Sequence, residues 1–227
     1  MIPLKDDNPT SSRPIVTYFL IGMCVVVFFM QLGSESYRTG QLFYSYGLIP
    51  SVLMGHDQLP MDLYAVPAYM TIFSSMFMHG GWMHLIGNMW YMKIFADNIE
   101  DNLGSRNFII FYILCGIGAA MAQVLMDTHS QVPMVGASGA IGGVLGAYLI
   151  NHPNARVLVL IPYIIITIIK IRALYVLGFW FILQFISSGG GVAYAAHIGG
   201  FVSGMVLILF FNKKVRRKTK VIKGPWS

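Results

Sequence analysis

Charged residues are scarce in this sequence. Only 11% of its 227 residues are charged, and 56% are hydrophobic, whereas soluble domains carry roughly 25% charged residues. Because a chain of this composition cannot bury its apolar surface in one water-soluble core, a single soluble domain is excluded. The apolar residues gather in long runs that approach the roughly 20 residues a helix needs to cross hydrocarbon. The composition therefore predicts an all-α bundle of membrane-spanning helices.

Cysteine is also rare, and both copies, Cys24 and Cys115, lie inside apolar runs. A buried thiol in such a run behaves as a small hydrophobe, so cysteine usage does not indicate the redox compartment. The first apolar run is too long for the core of a signal peptide, and it lacks a small-residue cleavage site. We therefore expect it to remain in the mature protein as a membrane span.

Six spans can be placed on the apolar runs. They are Ile15–Leu32, Gly81–Phe95, Asn107–Met126, Ser138–Ile150, Ala173–Ser187 and Ala195–Phe211. Val157–Ile171 is also apolar, but it is β-branched and interrupted by Pro162, so we predict no span there. The chain then divides into an N-terminal segment at 1–13, a six-helix domain at 14–211 and a basic tail at 212–227.

The basic tail sets the expected orientation. Seven of the fifteen Lys and Arg residues lie between Lys213 and Lys223, directly after the last span. Such a stretch is typical of a cytoplasmic anchor on anionic lipid, and a nucleic-acid-binding arm is the alternative. We expect membrane lipid and no nucleic acid as the partner. With an even number of spans, both termini then lie in the cytoplasm of a multi-pass protein, expected in a bacterial cytoplasmic membrane.

Few polar residues accompany the spans, and they gather at the outer ends of three of them. His79, His84 and Asn88 lie at the outer end of the second span, the fourth span starts at Gly136-Ala137-Ser138-Gly139, and the sixth starts near His197. Polar groups in a membrane are costly, which makes each one a functional candidate. Because these three spans all enter from the outside, His84, Ser138 and His197 are predicted to lie at one depth.

Small residues predict which helices touch. Gly142 and Gly146 follow Ser138 by four and eight positions, and Gly200 and Gly204 follow His197 by three and seven. Such stripes let helices approach closely, so the fourth and sixth spans should pack together and aim Ser138 at His197. A neutral imidazole can take the proton of a serine hydroxyl. The free N–H groups at the start of a helix also favour developing negative charge.

Each of these features has an ordinary explanation when it stands alone. A serine at a helix start is commonly an N-cap, and Gly136 to Ala140 lacks the last glycine of a hydrolase nucleophile elbow. Metal binding is disfavoured, because the chain has no His-Glu-x-x-His motif. His79, His84 and His129 also lack acidic or cysteine partners at ligand spacing. We expect neither a metal nor another cofactor, and the joint pattern favours serine catalysis.

Together, residues at roughly 14–211 resemble the rhomboid family of intramembrane serine proteases. The resemblance is carried by His79-x4-His84-x3-Asn88, Glu100, Gly136-Ala137-Ser138-Gly139, and Ala196-His197 with Gly200 and Gly204. It implies a catalytic dyad of Ser138 and His197 without an acidic third member. It also implies an oxyanion hole formed by His84, Asn88 and the Ser138 backbone N–H. Structural support is expected from His79, Glu100, Gly136, Gly139, Gly146, Gly200 and Gly204.

The implied activity is endopeptidase hydrolysis of peptide bonds in or near transmembrane segments of membrane-protein substrates, through an acyl-enzyme on Ser138. One alternative is a catalytically inactive relative that binds membrane segments, although such relatives characteristically lose the serine or the histidine. A small transporter is disfavoured, because the spans lack intramembrane carboxylates or charge pairs. Many relatives carry an aromatic residue four positions after the serine that stacks on the histidine. This chain has Gly142 there, so the sequence leaves open what supports His197.

Overall fold

A computed structural model describes residues 1–35, 40–162, 166–186 and 193–215. Its helices are α1 Ile15–Leu32, α2 Gln41–Tyr46, α3 Pro50–Leu53, α4 Thr71–Ser74, α5 Trp82–Leu103, α6 Ser105–Met126, α7 Ser138–Asn151, α8 Ala173–Ile186 and α9 Tyr194–Val215. Short 3₁₀ turns flank α4 at Ala68–Met70 and Ser75–Phe77. Its strands are β1 Ile2–Asp6, β2 Arg156–Pro162 and β3 Ile166–Arg172.

Each of the six predicted spans falls on one of the longer helices. Within the described residues, three stretches are long and apolar enough to cross a membrane, namely α1, α6 and Tyr194–Phe211 of α9, whereas α7 and α8 are shorter apolar helices. The helix that begins at Trp82 continues past Phe95 to Leu103. Ser187 and the tail beyond Val215 lie outside the described residues. The number of spans and the side of each terminus therefore stay predictions.

A small sheet corrects the prediction of an all-α protein. The three strands pair antiparallel in the order β1–β2–β3. Val157–Ile171 accordingly falls in a pair of strands, as its β-branched composition favours, and the described part of this segment contains no helix. The N-terminal segment supplies the third strand, and the Trp90 Nε1–H donates to the Pro3 carbonyl at 2.6 Å.

Helix α7 lies at the centre of the bundle, where its residues from Ala140 to Tyr148 are all buried. Glycine makes this possible, because α9 lies directly against the α7 backbone. A Cβ added to Gly146 would lie 2.1 Å from the Phe201 carbonyl oxygen, and one on Gly204 would lie 1.9 Å from that of Gly143. The predicted glycine-mediated contact of the two helices is thus confirmed.

Glu100 ties the start of α1 to the end of α5. Its side chain is 1% exposed and accepts hydrogen bonds from the backbone N–H groups of Val16 and Thr17 at 2.9 and 2.8 Å. The hydroxyls of Thr17 and Ser105 also donate to it, at 2.8 and 2.6 Å. Because the first N–H groups of a helix have no partner within the helix, this carboxylate caps α1 from another part of the chain.

Candidate active site

Ser138 and His197 meet where α7 and α9 begin. Ser138 is the first residue of α7, and His197 lies in the first turn of α9. The glycine contact between the two helices brings their side chains together, with 2.8 Å between Ser138 Oγ and His197 Nε2. At this distance the serine hydroxyl can donate its proton to an unprotonated Nε2.

The second ring nitrogen of His197 faces Gln184 of α8, at 2.7 Å between Nδ1 and Oε1. Gln184 is 9% exposed, and its Nε2 donates to the Trp180 carbonyl at 2.7 Å. The Trp180 ring also lies beside the imidazole, with 5.8 Å between centroids and an interplanar angle of 35°. Neither residue was predicted, because both lie in an apolar span. The signal that could have identified Gln184 is that it is a polar amide in a run of apolar side chains.

Trp180 also bears on the position at which many relatives carry an aromatic ring. A Cβ added to Gly142 would lie 3.0 Å from the His197 carbonyl oxygen and 3.7 Å from Cη2 of Trp180. A ring at position 142 would therefore meet the Trp180 indole. In this chain α8 therefore supplies Trp180 as an aromatic neighbour of His197, and Tyr194 of α9 lies at 6.3 Å between ring centroids.

Asn88 and His84 lie in the first two turns of α5 and line the same cavity as Ser138. The Asn88 Nδ2 is buried and has no hydrogen-bond partner among the described residues. His84 Nδ1 accepts a hydrogen bond from the Gly80 backbone N–H at 3.3 Å, so its Nε2 carries the proton in the neutral ring. A Cβ added to Gly136 would lie 2.7 Å from that Nε2, which locates the Nε2–H beside the loop that leads into Ser138.

Two glycines lie on either side of Ser138, with Gly136 in this loop and Gly139 in the first turn of α7. Gly136 has a φ of +126°, a backbone conformation that residues with a Cβ rarely adopt. Its N–H donates to the Ser75 carbonyl at 2.8 Å. Gly139 follows Ser138, and a Cβ there would lie 2.6 Å from Cβ of Ala119. The chain can therefore pass close to both His84 and α6 only because these residues have no side chain.

A cavity of about 750 Å³ opens at this point of the bundle. Its polar lining includes the side chains of His84, Asn88, Ser138 and His197, and its apolar lining includes Met76 and Leu145. The cavity thus brings these polar side chains and apolar walls to one open space beside Ser138. Such a combination of apolar walls and a few convergent polar groups is typical of a ligand-binding or active site.

His79 is fully buried behind this cavity and contacts the edge of the His84 ring, with 5.2 Å between ring centroids. Gln31 of α1 brackets its backbone, accepting from the His79 N–H at 3.1 Å and donating to the His79 carbonyl at 3.2 Å. Burial lowers the pKa of His79 to about 4, so the ring is neutral near pH 7. These contacts attach the segment before α5 to α1.

The three histidines considered as metal ligands do not converge. His129 stacks on His56, with 4.2 Å between ring centroids, whereas His79 and His84 lie beside each other near Ser138. Across the residues that the structure describes, no group of three or more His, Cys, Asp or Glu side chains is arranged to hold a metal ion.

Comparison with known proteins gives consistent matches. The Rhomboid domain family model matches residues 67–214. The putative rhomboid protease YdcA of Bacillus subtilis is 28% identical over 214 residues, which covers 90% of this chain and 92% of the relative. The rhomboid protease GluP of the same organism is 28% identical over 197 residues, covering 86% and 34%. RHOMBOID-like protein 5 of Arabidopsis thaliana is 33% identical over 78 residues, covering 34% and 25%. This chain thus spans about a third of the length of GluP and about a quarter of the length of RHOMBOID-like protein 5.

Proposed function

We propose that this chain, which belongs to the rhomboid family and is an integral membrane protein, is a serine endopeptidase that cuts membrane-protein substrates in or near their transmembrane segments. The observation that carries the proposal is the 2.8 Å contact of Ser138 Oγ with His197 Nε2 in a cavity of about 750 Å³. A serine at a helix start becomes a nucleophile only when a base lies within hydrogen-bond reach, and His197 supplies that base.

The first half of the reaction acylates Ser138. Its Oγ attacks the carbonyl carbon of the scissile peptide bond while its proton passes to His197 Nε2. The carbonyl oxygen becomes an oxyanion that accepts hydrogen bonds from Asn88 Nδ2–H, His84 Nε2–H and the Ser138 backbone N–H. As the tetrahedral intermediate collapses, the C–N bond breaks and the protonated Nε2 donates its proton to the leaving amine.

The second half releases the new carboxyl end of the substrate. A water molecule attacks the ester carbonyl carbon and gives its proton to His197 Nε2. The tetrahedral intermediate is stabilised by the same three N–H groups, and the C–Oγ bond then breaks. The proton on Nε2 returns to Ser138 Oγ, so the enzyme regains its starting state and the net reaction consumes one water molecule per peptide bond.

The proposed orientation has six spans and both termini in the cytoplasm of a bacterial membrane. The positive charge of Arg156, Lys170 and Arg172 and that of the basic tail support it. The Ser138 end of α7 then faces outside and the small sheet faces the cytoplasm. The polar residues around Ser138 would in this orientation meet substrate helices near their outer ends.

The experiment that tests the proposal uses the purified full chain in detergent or in lipid vesicles. A fluorophosphonate should modify Ser138, as mapped by mass spectrometry, and a helical membrane substrate should be cut in the presence of a chelator. Ser138→Ala and His197→Ala should each lower kcat by about four to six orders of magnitude and leave the thermal unfolding of the protein unchanged.

Two results would contradict the proposal. Cleavage by Ser138→Ala at the wild-type rate would show that another nucleophile or a contaminating protease acts. A folded wild-type protein that is neither labelled nor active, but that binds transmembrane segments, would favour the catalytically inactive alternative.

A further inference from the structure

We propose that Gln184 is a positioning residue for His197, so that the site works as a relay of Ser138, His197 and Gln184 with a neutral third member. This inference rests on the proposed function, because it assigns Gln184 a part in that same reaction. It goes beyond the dyad, in which His197 acts without a hydrogen-bonded third residue.

The direction of each hydrogen bond follows from the chemistry of the atoms. The Trp180 carbonyl oxygen can only accept, so the Gln184 side-chain atom 2.7 Å away must be the NH₂ group. The carboxamide oxygen of Gln184 then faces His197 Nδ1 at 2.7 Å, and this oxygen also can only accept. Nδ1 must therefore carry the ring proton of the neutral imidazole.

This tautomer is the one that the reaction requires. With the proton on Nδ1, the His197 Nε2 has a free lone pair directed at the Ser138 hydroxyl, 2.8 Å away. With the proton on Nε2 instead, the ring could not accept the serine proton, and Nδ1 would oppose the Gln184 oxygen as a second acceptor. The orientation of the Gln184 amide thus selects the form of His197 that acts as a base.

An amide suits this position better than a carboxylate does. The third member must donate to the Trp180 carbonyl and accept from His197 Nδ1–H at the same time. An ionised carboxylate can only accept, so one of its oxygens would oppose the Trp180 carbonyl. It would also bring a charge into a largely buried site within an apolar helix, which is costly. A glutamine satisfies both partners and remains neutral.

The ring of Trp180 completes the support of His197. Gln184 holds the imidazole by its Nδ1 edge, and the indole limits its movement on one face at 5.8 Å between centroids. Both contacts come from a single turn of α8, because Trp180 and Gln184 are four residues apart. The orientation of the general base is therefore set by α8, although the base itself lies on α9.

The test compares Gln184→Met with the wild type in full-length protein. Methionine fills a similar volume but offers no carboxamide, so Nδ1–H loses its acceptor. We expect kcat to fall by about 10- to 100-fold, with KM changed by less than about twofold, because a buried donor without a partner costs roughly this much in rate. Gln184→Glu retains an acceptor toward Nδ1 but opposes the Trp180 carbonyl with its second oxygen, so its kcat should recover only in part and lie between those of Gln184→Met and the wild type.

Gln123→Ala is the matched control. Gln123 of α6 also uses its side-chain oxygen to hold the start of α9, accepting from the Ala196 N–H at 3.3 Å, but it does not contact the imidazole. We expect this variant to keep kcat within about threefold of the wild type, since it removes one weak hydrogen bond. An equal loss of kcat in Gln123→Ala and Gln184→Met would show that Gln184 acts only by packing α9, and would overturn the proposal.

A second measurement does not depend on activity. Nitrogen NMR of histidine-labelled protein reports which ring nitrogen carries the proton, and the His197 signals are identified by their loss in His197→Ala. The wild type should show a protonated Nδ1, and Gln184→Met should lose this preference. A protonated Nε2 in the wild type, an unchanged tautomer in Gln184→Met, or no recovery of kcat in a folded Gln184→Glu would each overturn the assignment. A wild type that shows the expected tautomer but cuts no substrate would instead contradict the proposed function alone.

Discussion

The polar side chains around the two ends of α7 differ in whether they have hydrogen-bond partners. At the Ser138 end, the Asn88 Nδ2 is buried without a partner among the described residues, and a cavity of about 750 Å³ opens beside it. At the other end, roughly 15 Å along the helix, the Tyr148 hydroxyl donates to Asp6 at 2.5 Å. Asn98 Nδ2 also donates to Asp6, at 3.2 Å. The Ser138 end thus leaves the Asn88 amide without a partner, whereas the Tyr148 end pairs the polar groups named here.

This difference indicates that the Ser138 end of α7 serves substrate binding and that the Tyr148 end serves the stability of the fold. A buried donor without a partner costs about 1–3 kcal/mol, and such a cost is understandable where a substrate oxygen completes the hydrogen bond. Paired groups at the opposite end join the N-terminal segment to the bundle, and Asp101 adds to them by accepting from Ser11 and Ser12. Changes at the Ser138 end should therefore alter turnover, whereas changes at the Tyr148 end should alter unfolding.

Among the changes that compare the two ends of α7, the largest effect is expected for Asn88→Ala. Removing one donor of an oxyanion hole typically lowers kcat by about 100-fold or more, with little change in KM. The melting temperature should stay the same or rise, because the variant removes an unsatisfied buried amide. Kinetics on a membrane substrate and thermal unfolding of the same sample check both parts. Unchanged turnover in Asn88→Ala and in His84→Ala would show that the free donors do not serve catalysis.

Gly146→Val tests the contact that joins the two halves of the site. Its branched side chain would meet the Phe201 backbone, since even a Cβ lies 2.1 Å from the carbonyl oxygen. We expect the free energy of unfolding to fall by at least about 1–3 kcal/mol. The kcat should also fall, because Ser138 and His197 move apart. Thermal unfolding and turnover measure the two losses.

Gly178→Ala serves as the control, because a Cβ at this α8 position would have no atom of the described residues within 4 Å. It should leave both stability and turnover near the wild type. A Gly146→Val protein with wild-type stability would mean that α7 and α9 can separate at little cost, and the glycine contact would then not set the geometry of the site.

The sequence predicted the contact of α7 with α9 but not the support of His197, and the reason is physical. Glycine stripes at helical spacing specify which faces of two helices meet, so Ser138 and His197 could be brought together from spacing alone. The sequence of α8 does not show which of its faces points into the bundle, because lipid is as apolar as the residues of that helix. Gln184 and Trp180 could therefore not be directed at His197 before the packing was known.

The sheet and the length of α5 escaped prediction for a related reason. β1 has five residues, which include Lys5 and Asp6, and its partner lies about 150 residues away in β2. Such a short strand has no periodicity to identify it. A predicted span ends where the apolar run ends, so it did not show that the helix continues to Leu103. In this extension Glu100 and Asp101 accept hydrogen bonds from Thr17 and Ser11.

Glu100→Gln addresses the paired end directly. The carboxylate accepts hydrogen bonds from the N–H groups of Val16 and Thr17 and from the Ser105 hydroxyl. A hydrogen bond to a charged group typically contributes about 1.5–3 kcal/mol to stability. The amide keeps the shape but replaces one acceptor by a donor, so we expect a loss of stability of about 1–3 kcal/mol. Turnover of the protein that remains folded should be unaffected.

Asp62→Asn is the control for Glu100→Gln, because it also removes a negative charge but from an exposed position. Thermal unfolding at constant salt compares the two variants. Equal stability of both would show that the cap on α1 contributes nothing, and the division of labour between the two ends of α7 would not hold.

The smallest effect concerns the pH dependence of stability at Asp6. Burial raises the pKa of Asp6 from 3.8 to about 6, although the hydrogen bond from Tyr148 acts in the opposite direction. A pKa that is higher in the folded protein means that the folded state binds the proton more tightly than the unfolded chain does. The resulting stabilisation is complete below pH 3.8 and is lost as the pH rises through about 6.

Asp6→Asn keeps an acceptor for the Tyr148 hydroxyl but does not titrate, so its melting temperature should lack this decline. The wild-type melting temperature should therefore fall relative to that of Asp6→Asn across this window, and Tyr148→Phe, which removes the opposing hydrogen bond, should move the decline to higher pH. Parallel melting curves of wild type and Asp6→Asn throughout the window would mean that the Asp6 carboxylate is not held in a buried environment by β1.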